Sequence, residues 1–404
     1  MSPNVRRVAI VTARFPFGVA EPYLNTELRE LIKHFERIAV VPVRLGTGAM
    51  QPLPANAEVL DWPLFSKPLL KRAVRVFRSK PRATLRAIAD LLTSKDPGRM
   101  KNVAVMLKGI ALADWILERG YDHVHAYWLS TPATVAFIAA RISGVSWSAT
   151  AHRWDIYERN AFDVKGRTAA FVRTISARGA ADVWKRMPQA AARVTHLRLG
   201  AVVPEQPADV NAERAQFSIV CPAALVPVKG HADLLEAVAQ LHAWRVPVRC
   251  TFAGQGPLEQ TLKQQAASLG IADAVEFPGY VPQSELLDGY RNSRYHAVVL
   301  ASRSDGVAEM EGVPSALIEA MAEGVPVVAT DSGSIGELLD ERSGWIVPSS
   351  QPAALANALR DVYLRPEAAR IRARRAFEVV AQRHDVRTQM RELAGMLTGE
   401  RRSQ

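Results

Sequence analysis

The chain has 404 residues, with 51 Lys and Arg against 40 Asp and Glu, a formal net charge of +11. At 48% hydrophobic and 23% charged residues its composition is ordinary for a globular protein, which argues against disorder and coiled coil, and its length predicts two or three domains. The two cysteines, Cys221 and Cys250, lie in apolar runs without a CxxC or a metal-ligand cluster, so they read as buried free thiols in a reducing cytoplasm.

The start, "MSPNVRRVAIVTARF", is basic, but its apolar run is too short for a signal-peptide core and reads as a first buried strand. "RVAIVTA" leads to the helical pattern "EPYLNTELRELIKHF" and then to the strand "RIAVVPV". From Asp61 to Lys101 eleven Lys and Arg stand against Asp61, Asp90 and Asp96, with apolar residues interleaved. A basic amphipathic segment over residues 63–105 reads as a membrane-surface contact, and a solvated helix face over the core is the plain alternative. Nucleic acid is the weaker partner for such a pattern, and no run of eighteen apolar residues predicts a membrane-spanning helix.

"HVHAYWL", "TPATVAFIAARISG" and "SWSATAH" continue the alternation, and "RLGAVVPEQPADVNAERAQ" reads as a linker. The rhythm then restarts with "FSIVCPAAL", "KGHADLLEAVAQLHAW", "VRCTFAG", "AVEFPGYV", "HAVVLAS", "SALIEAMAEG" and "VPVVATDSG". Short β-branched runs between longer helical patterns predict two doubly wound parallel sheets, each Rossmann-like, facing a cleft. The expected domains are 1–197, 198–380, and a C-terminal helical stretch 381–404 that packs back on the first.

Ligands of such sheets bind where strands end and helices begin. Gly18 follows the first strand and would let backbone approach a ligand, or is a plain turn; no GxGxxG is present. His152 and Asp155 follow "WSATA", where an imidazole titrating near neutrality would bond a hydroxyl or phosphate, unless it is a cap or core-edge residue. His123 and His125 alternate on a strand without a third ligand and read as packing. Lys229 and Gly230 open a helix, a natural phosphate seat. Gly254 and Gly256 demand a tight turn against which a ligand ring would lie. In "DGVAEMEGVPSALIEAMAEG", Glu311 precedes a helix with Ser315 as N-cap, and Glu319 lies inside it. A diphosphate on the amides of residues 312–315 would have a carboxylate on each side to accept polyol hydroxyls, while Glu309 has no assigned partner and reads as solvated.

The Glu–seven residues–Glu spacing in "EGVPSALIE", with "AMAEGVPVVAT", "KGH" and "FAGQGPLEQ…VEFPGYV", resembles the family 4 retaining nucleotide-sugar glycosyltransferases of GT-B fold. "FPFGVAEPYLNTEL" and "SATAHRWDIY" are similar to the bacterial exopolysaccharide, colanic-acid-type branch. The resemblance implies a sugar moved from a UDP- or GDP-linked donor, with retention, to a saccharide or polyprenyl-diphosphate-linked acceptor. It implies no cofactor and no metal. It places Glu311 on donor-sugar hydroxyls, Glu319 on the ribose, Lys229 on the diphosphate and His152 beside the anomeric carbon, the three catalytic residues being His152, Lys229 and Glu311. Gly18, Gly230, Gly254, Gly256, Val281, Gly312, Val313, Pro314 and Ser315 complete the donor site, and Glu21 and Asp155 lie on the acceptor side. The implied location is cytoplasmic, peripheral at the inner face of the membrane. Members commonly carry an Arg where this chain has Ala224, which shifts charge neutralisation onto Lys229, with Arg303, Arg153 and Arg14 as candidate substitutes. A GT-B sugar-nucleotide epimerase and a catalytically degenerate scaffold are the other two readings of these motifs.

Overall fold

The computed structural model describes residues 7–19, 21–208, 216–304, 306 and 311–399. It divides into two compact units, Met1–Arg198 with Arg387–Gln404, and Leu199–Val386.

The first unit holds strands β1 (Arg7–Thr12), β2 (Arg37–Pro42), β3 (Ala57–Val59), β4 (His123–Tyr127), β5 (Ser146–Ala151), β6 (Val172–Thr174) and β7 (Val194–His196). They form one sheet in the order β3-β2-β1-β4-β5-β6-β7, and every pairing is parallel. Its helices are α1 (Pro22–Leu31), α2 (Lys67–Ser79), α3 (Pro81–Leu92), α4 (Arg99–Arg119), α5 (Thr131–Ser143), α6 (Arg153–Glu158), α7 (Phe162–Thr168) and α8 (Ala177–Arg186). A parallel sheet needs a crossover between neighbouring strands, and helices on both faces then bury it. Hence Val8 to Val11 and Ile38 to Val41 are apolar throughout and buried.

The second unit holds β8 (Phe217–Cys221), β9 (Val248–Ala253), β10 (Val275–Gly279), β11 (Ala297–Leu300), β12 (Val327–Asp331) and β13 (Trp345–Pro348), ordered β10-β9-β8-β11-β12-β13 and again parallel. Its helices are α9 (His231–Ala243), α10 (Glu259–Ser268), α11 (Gln283–Arg291), α12 (Ser315–Ala322), α13 (Ile335–Leu338), α14 (Pro352–Leu364) and α15 (Pro366–Arg383). The last helix, α16 (Val386–Thr398), groups with the first unit for all but its first residue.

Both sheets reverse their strand order once, between β1 and β4 and between β8 and β11. Beyond the carboxyl ends of those strand pairs lie the crevices where doubly wound sheets take ligands. Cys221 and Cys250 are buried and free. His123 and His125 are structural: their ring nitrogens reach the hydroxyls of Ser146, Ser148 and Thr150 on β5 at 2.6–2.8 Å.

Two fully buried polar groups lock the first unit near its switch point. Arg173 on β6 donates to both oxygens of Glu27 on α1, at 2.9 and 2.6 Å, and to the carbonyls of Leu197 and Arg198. Tyr127 donates to the same carboxylate at 2.9 Å. With each guanidinium nitrogen hydrogen-bonded, the pair tolerates burial, and losing either partner would cost about 3–5 kcal/mol.

Candidate active site

In the second unit, β8 ends at Cys221, and the loop behind it closes in a turn, Pro227–Lys229, before α9. Gly230 between them sits at φ +63°, and a Cβ there would lie 1.9 Å from the Ala301 carbonyl oxygen just past β11. Only glycine permits that approach, and it presses the Lys229 turn against the end of β11. Ser302 and Glu311 come from the connection that follows β11, on the other side of the switch point.

Here the structure makes one assembly of residues 82 positions apart. Lys229 Nζ lies 2.5 Å from Glu311 Oε2, and the Ser302 hydroxyl donates to the same oxygen at 2.8 Å. The Gly312 amide donates to Oε1 at 3.2 Å. Burial pushes the Glu311 carboxyl up, but the Lys229 charge and hydrogen bond, with those of Ser302 and Gly312, hold it below its ordinary value. Glu311 is therefore a carboxylate, and Lys229 its counter-ion. Its backbone is held too: the Glu311 amide donates to Ser332 Oγ at 3.2 Å, and that hydroxyl donates to the Arg303 carbonyl at 2.7 Å. Gly333, at φ +59°, comes so close that a Cβ would lie 1.8 Å from the Glu311 carbonyl oxygen.

α12 begins at Ser315, and its N-cap is Pro314. Ser315 is thus a first-turn residue and not the cap that the sequence predicts, because Pro314 already supplies the extended backbone entry. Val313 and Pro314 are buried. Glu319, in the second turn of α12, accepts from Gln283 Nε2 on α11 at 2.8 Å. Burial raises its pKa to about 7. Val281 lies two residues before Gln283, in the half-buried β10–α11 loop.

Gly254 and Gly256 are tightly placed, for a reason internal to the protein. Cβ atoms there would lie 1.9 Å from the Ala223 carbonyl oxygen and 2.3 Å from that of Leu225. The neighbouring backbone, where the sequence suggests a ligand ring, packs on these glycines, and the Leu225 amide donates to the carbonyl of Gln255 between them at 2.9 Å. Ala224 in that loop is exposed. Of its candidate substitutes, Arg303 forms a two-pronged pair with Asp233, at 2.8 and 2.6 Å, so its charge is already matched. Arg153 lies over the Tyr157 ring, 5.0 Å from its centre, and Arg14 is exposed. Glu309 falls outside the described residues.

In the first unit, His152 caps α6 at the end of β5, and Asp155 holds it there, accepting from the His152 amide at 2.8 Å and from the Leu129 amide. Burial lifts the Asp155 pKa to about 8, against the pull of those two amides. The imidazole of His152 packs between Trp128, with ring centres 4.3 Å apart, and Tyr23, at 5.4 Å. Burial, with the Arg173 charge nearby, drops its pKa to about 3. The expectation of a histidine titrating near neutrality is corrected: it stays uncharged, because among the described residues no carboxylate pairs with its ring to offset desolvation.

Glu21 takes the left-handed region, at φ 58°, and its carboxylate accepts from the amides of Arg14 and Phe15, at 3.1 and 3.0 Å, and from the Trp128 indole. It is the clasp between the β1 loop and the end of β4. Trp128 itself sits at φ 133°, the kind of local strain that gathers at functional sites. Gly18, at φ +71°, is held in the same loop by its amide to Ala49 at 3.1 Å and by Gln51 Nε2 to its carbonyl at 2.9 Å. Tyr23, Trp128, Ser302, Gly333 and Gln283 escape sequence reasoning. Only Gly333, in "TDSGSIGE", leaves a signal, a glycine just beyond a strand.

The family model for glycosyl transferases group 1 matches residues 202–379. Those residues are a group 1 glycosyl transferase domain. The Lys229–Glu311 assembly lies within it. WcaL of Escherichia coli (strain K12), named for colanic acid biosynthesis, is 36% identical over 154 residues, 38% of this chain and 37% of WcaL. The GDP-mannose-dependent alpha-(1-6)-phosphatidylinositol monomannoside mannosyltransferase of Mycolicibacterium smegmatis is 34% identical over 191 residues, 45% of this chain and 48% of that one. The chain thus spans less than half the length of these relatives. The crystal structure of Anabaena Alr3699/HepE in complex with UDP matches 98% of this chain and 100% of its own at TM-score 0.68 and 17% identity, a likeness of fold. The two parallel α/β sheets, one in the group 1 domain and one before it, are the GT-B fold.

Proposed function

We propose that the chain moves a sugar from a nucleoside-diphosphate sugar to a hydroxyl of a saccharide acceptor in the assembly of an exopolysaccharide or other cell-surface polysaccharide. The observation that carries it is the Lys229–Glu311 ion pair at the switch point of a group 1 domain. The pair is a charge exchange in waiting. When a diphosphate arrives, the ammonium of Lys229 turns to it, and the carboxylate of Glu311, still fixed by Ser302 and Gly312, is released to accept sugar hydroxyls. The helix entry at Pro314–Ser315 adds its dipole to the leaving diphosphate. Glu319, ionised about half the time near pH 7, takes the ribose hydroxyls.

Retention of anomeric configuration belongs to this reading, with the leaving diphosphate held on the face where the acceptor attacks. The resemblance assigns His152, which is uncharged, one hydrogen bond at the anomeric carbon. Lys229 and the helix dipole supply the neutralisation, so the reading requires no metal and no cofactor besides the donor substrate. The names of WcaL and of the mannosyltransferase support the sugar-transfer chemistry and suggest a lipid-linked acceptor.

No helix among the described residues is long and apolar enough to cross a membrane. α2 and α3 support a peripheral contact with a cytoplasmic leaflet. Leu69, Ala73, Val76, Ala87 and Leu91 are buried, while Phe65 (79%), Leu70 (55%), Phe77 (45%) and Leu85 (54%) stand exposed among exposed Lys67, Lys71, Arg78, Arg82 and Arg86. The test of the catalytic reading is donor binding by the parent and by a Lys229→Ala variant, with transfer by Glu311→Gln measured beside it. Full turnover by Glu311→Gln would remove Glu311 from its role.

A further inference from the structure

In the second unit α11 packs on α12, and side chains join the two at both ends. Towards the carboxyl ends, Arg291 of α11 donates to both oxygens of Glu323, the residue after α12, at 3.1 and 2.6 Å. Towards the amino ends, Gln283, the first residue of α11, donates from Nε2 to Glu319 Oε1 at 2.8 Å. The first of these is an ion pair and fastens the helices. The second sets a neutral amide against a carboxyl that burial holds back from ionising, which is a poor fastening. A cation opposite Glu319, or an apolar residue in its place, would serve the fold better.

What an amide does well is hold a carboxylate without occupying it. An ionised carboxylate offers roughly four lone-pair sites, of which Gln283 takes one on Oε1. A cation would lower the carboxyl further, but an incoming hydroxyl would have to displace it, as at Glu311, where Lys229 already sits. An amide favours the ionised form, fixes its direction and leaves the remaining sites to a ligand. The other ionisable groups around Glu319 do not take that part. Tyr290 of α11 is a buried phenol kept un-ionised by burial and by the Glu319 charge, and Glu323 is matched by Arg291. Strand β11 and β12 as far as Thr330 carry no ionisable side chain, and Asp331 is exposed. The helix α15, which packs on α12, buries Ala369, Ala373 and Ala376 and leaves Arg370, Arg374 and Arg375 exposed.

We propose that Gln283 is a positioning residue for the nucleotide, its amide orienting the Glu319 carboxylate and keeping it ready to accept ribose hydroxyls. The assignment rests on the nucleotide-sugar reading above, in which Glu319 takes the ribose, and it involves α11 and α12 of the second unit alone. Burial lifts the Glu319 carboxyl to about 7, and the Gln283 bond pulls against that rise. Without the amide the carboxyl ionises at higher pH, and a ribose that needs the carboxylate follows it.

Gln283→Met keeps the length of the side chain and removes the donor. The test is calorimetric affinity for UDP-glucose, UDP-N-acetylglucosamine and GDP-mannose from about pH 6 to about pH 8.5, on the parent and on Gln283→Met. The phosphates of a nucleotide sugar stay ionised over that range, so the profile reads the protein. The parent binds at least one of the three, and its affinity rises with pH and levels off above about 7. In Gln283→Met the rise comes about one pH unit later, so affinity at pH 7 is about three- to tenfold lower and most of the loss is recovered near pH 8.5. Arg291→Ala, which breaks the other bond between the helices, lowers the melting temperature and leaves the rise where it is. A merely structural Gln283 would weaken binding by the same factor at every pH. That result, or an unchanged profile in Gln283→Met, overturns the role of Gln283 and leaves the sugar-transfer reading standing. Failure of the parent to bind any of these donors overturns that reading, and Gln283 with it.

Discussion

Glu311 and Glu319 lie eight residues apart, and the fold treats them oppositely. Glu311 is desolvated but faces an ammonium and is held ionised, whereas Glu319, which among the described residues accepts from the amide of Gln283, is raised by burial to about 7 from 4.5. The raised value sets a sign. Because the folded state resists ionising Glu319, its contribution to stability is lost as pH climbs from about 4.5 to about 7 and is constant above. Replacing it by Gln should stabilise the free protein at pH 8 by up to about 3 kcal/mol, with the gain vanishing near pH 4, as read by denaturant unfolding. A nucleotide that needs the carboxylate should bind the parent about tenfold more weakly for each pH unit below 7, and Glu319→Gln should lose that slope. A variant no more stable than the parent at pH 8 would contradict the burial argument. None of this shows in spacing: "EGVPSALIE" fixes where the two carboxylates stand, and only the side chains around them fix their charge.

At the scale of elements, sequence and structure agree where one physical rule dominates. Strands buried on both faces must be continuous apolar runs, so "VAIV", "IAVV" and "AVVL" are legible as β1, β2 and β11. The helix after Glu311 is legible to within one residue, its cap being Pro314. Gly254 and Gly256 are legible as constrained, though the partner is the Ala223–Leu225 backbone, which no local pattern announces. Less legible still are Glu21 and Trp128, which hold left-handed backbone without glycine because the Glu21 clasp compensates. The pairing of Lys229 with Glu311 needs the topology itself, since it joins the two connections that flank one sheet reversal. Gly333 is the element-scale test of that assembly. Gly333→Ala must displace either itself or the Glu311 backbone. It should cost about 2–4 kcal/mol in stability and at least tenfold in nucleotide-sugar affinity, while Gly336→Ala, whose added Cβ meets nothing nearer than 4.0 Å, should do neither. Parental stability and affinity in Gly333→Ala would show that the loop is not held as described.

For the whole molecule, a net charge of +11 is concentrated where α2 and α3 leave apolar side chains exposed. Part of the charge is spent within the fold: Arg72 bridges Asp114 and Glu118, at 2.8 and 2.6 Å, and Arg75 reaches Asp114 at 3.2 Å. The rest should hold the chain on vesicles containing phosphatidylglycerol at low salt and release it at high salt, since each surface cation is worth about 1 kcal/mol on an anionic leaflet. Phe77→Ser with Leu70→Ser should weaken the binding without moving the melting temperature, and no co-sedimentation at low salt would exclude the contact.

The account stands on a nucleoside-diphosphate sugar held by Lys229 and Glu311. Thermal unfolding of the parent and of Lys229→Ala, each titrated with a panel of UDP- and GDP-linked sugars, tests it most directly. One donor should stabilise the parent, by about 2.7 kcal/mol at a hundredfold excess over its dissociation constant, and the shift should collapse in Lys229→Ala. No shift in the parent with any donor, or an equal shift in Lys229→Ala, would contradict it.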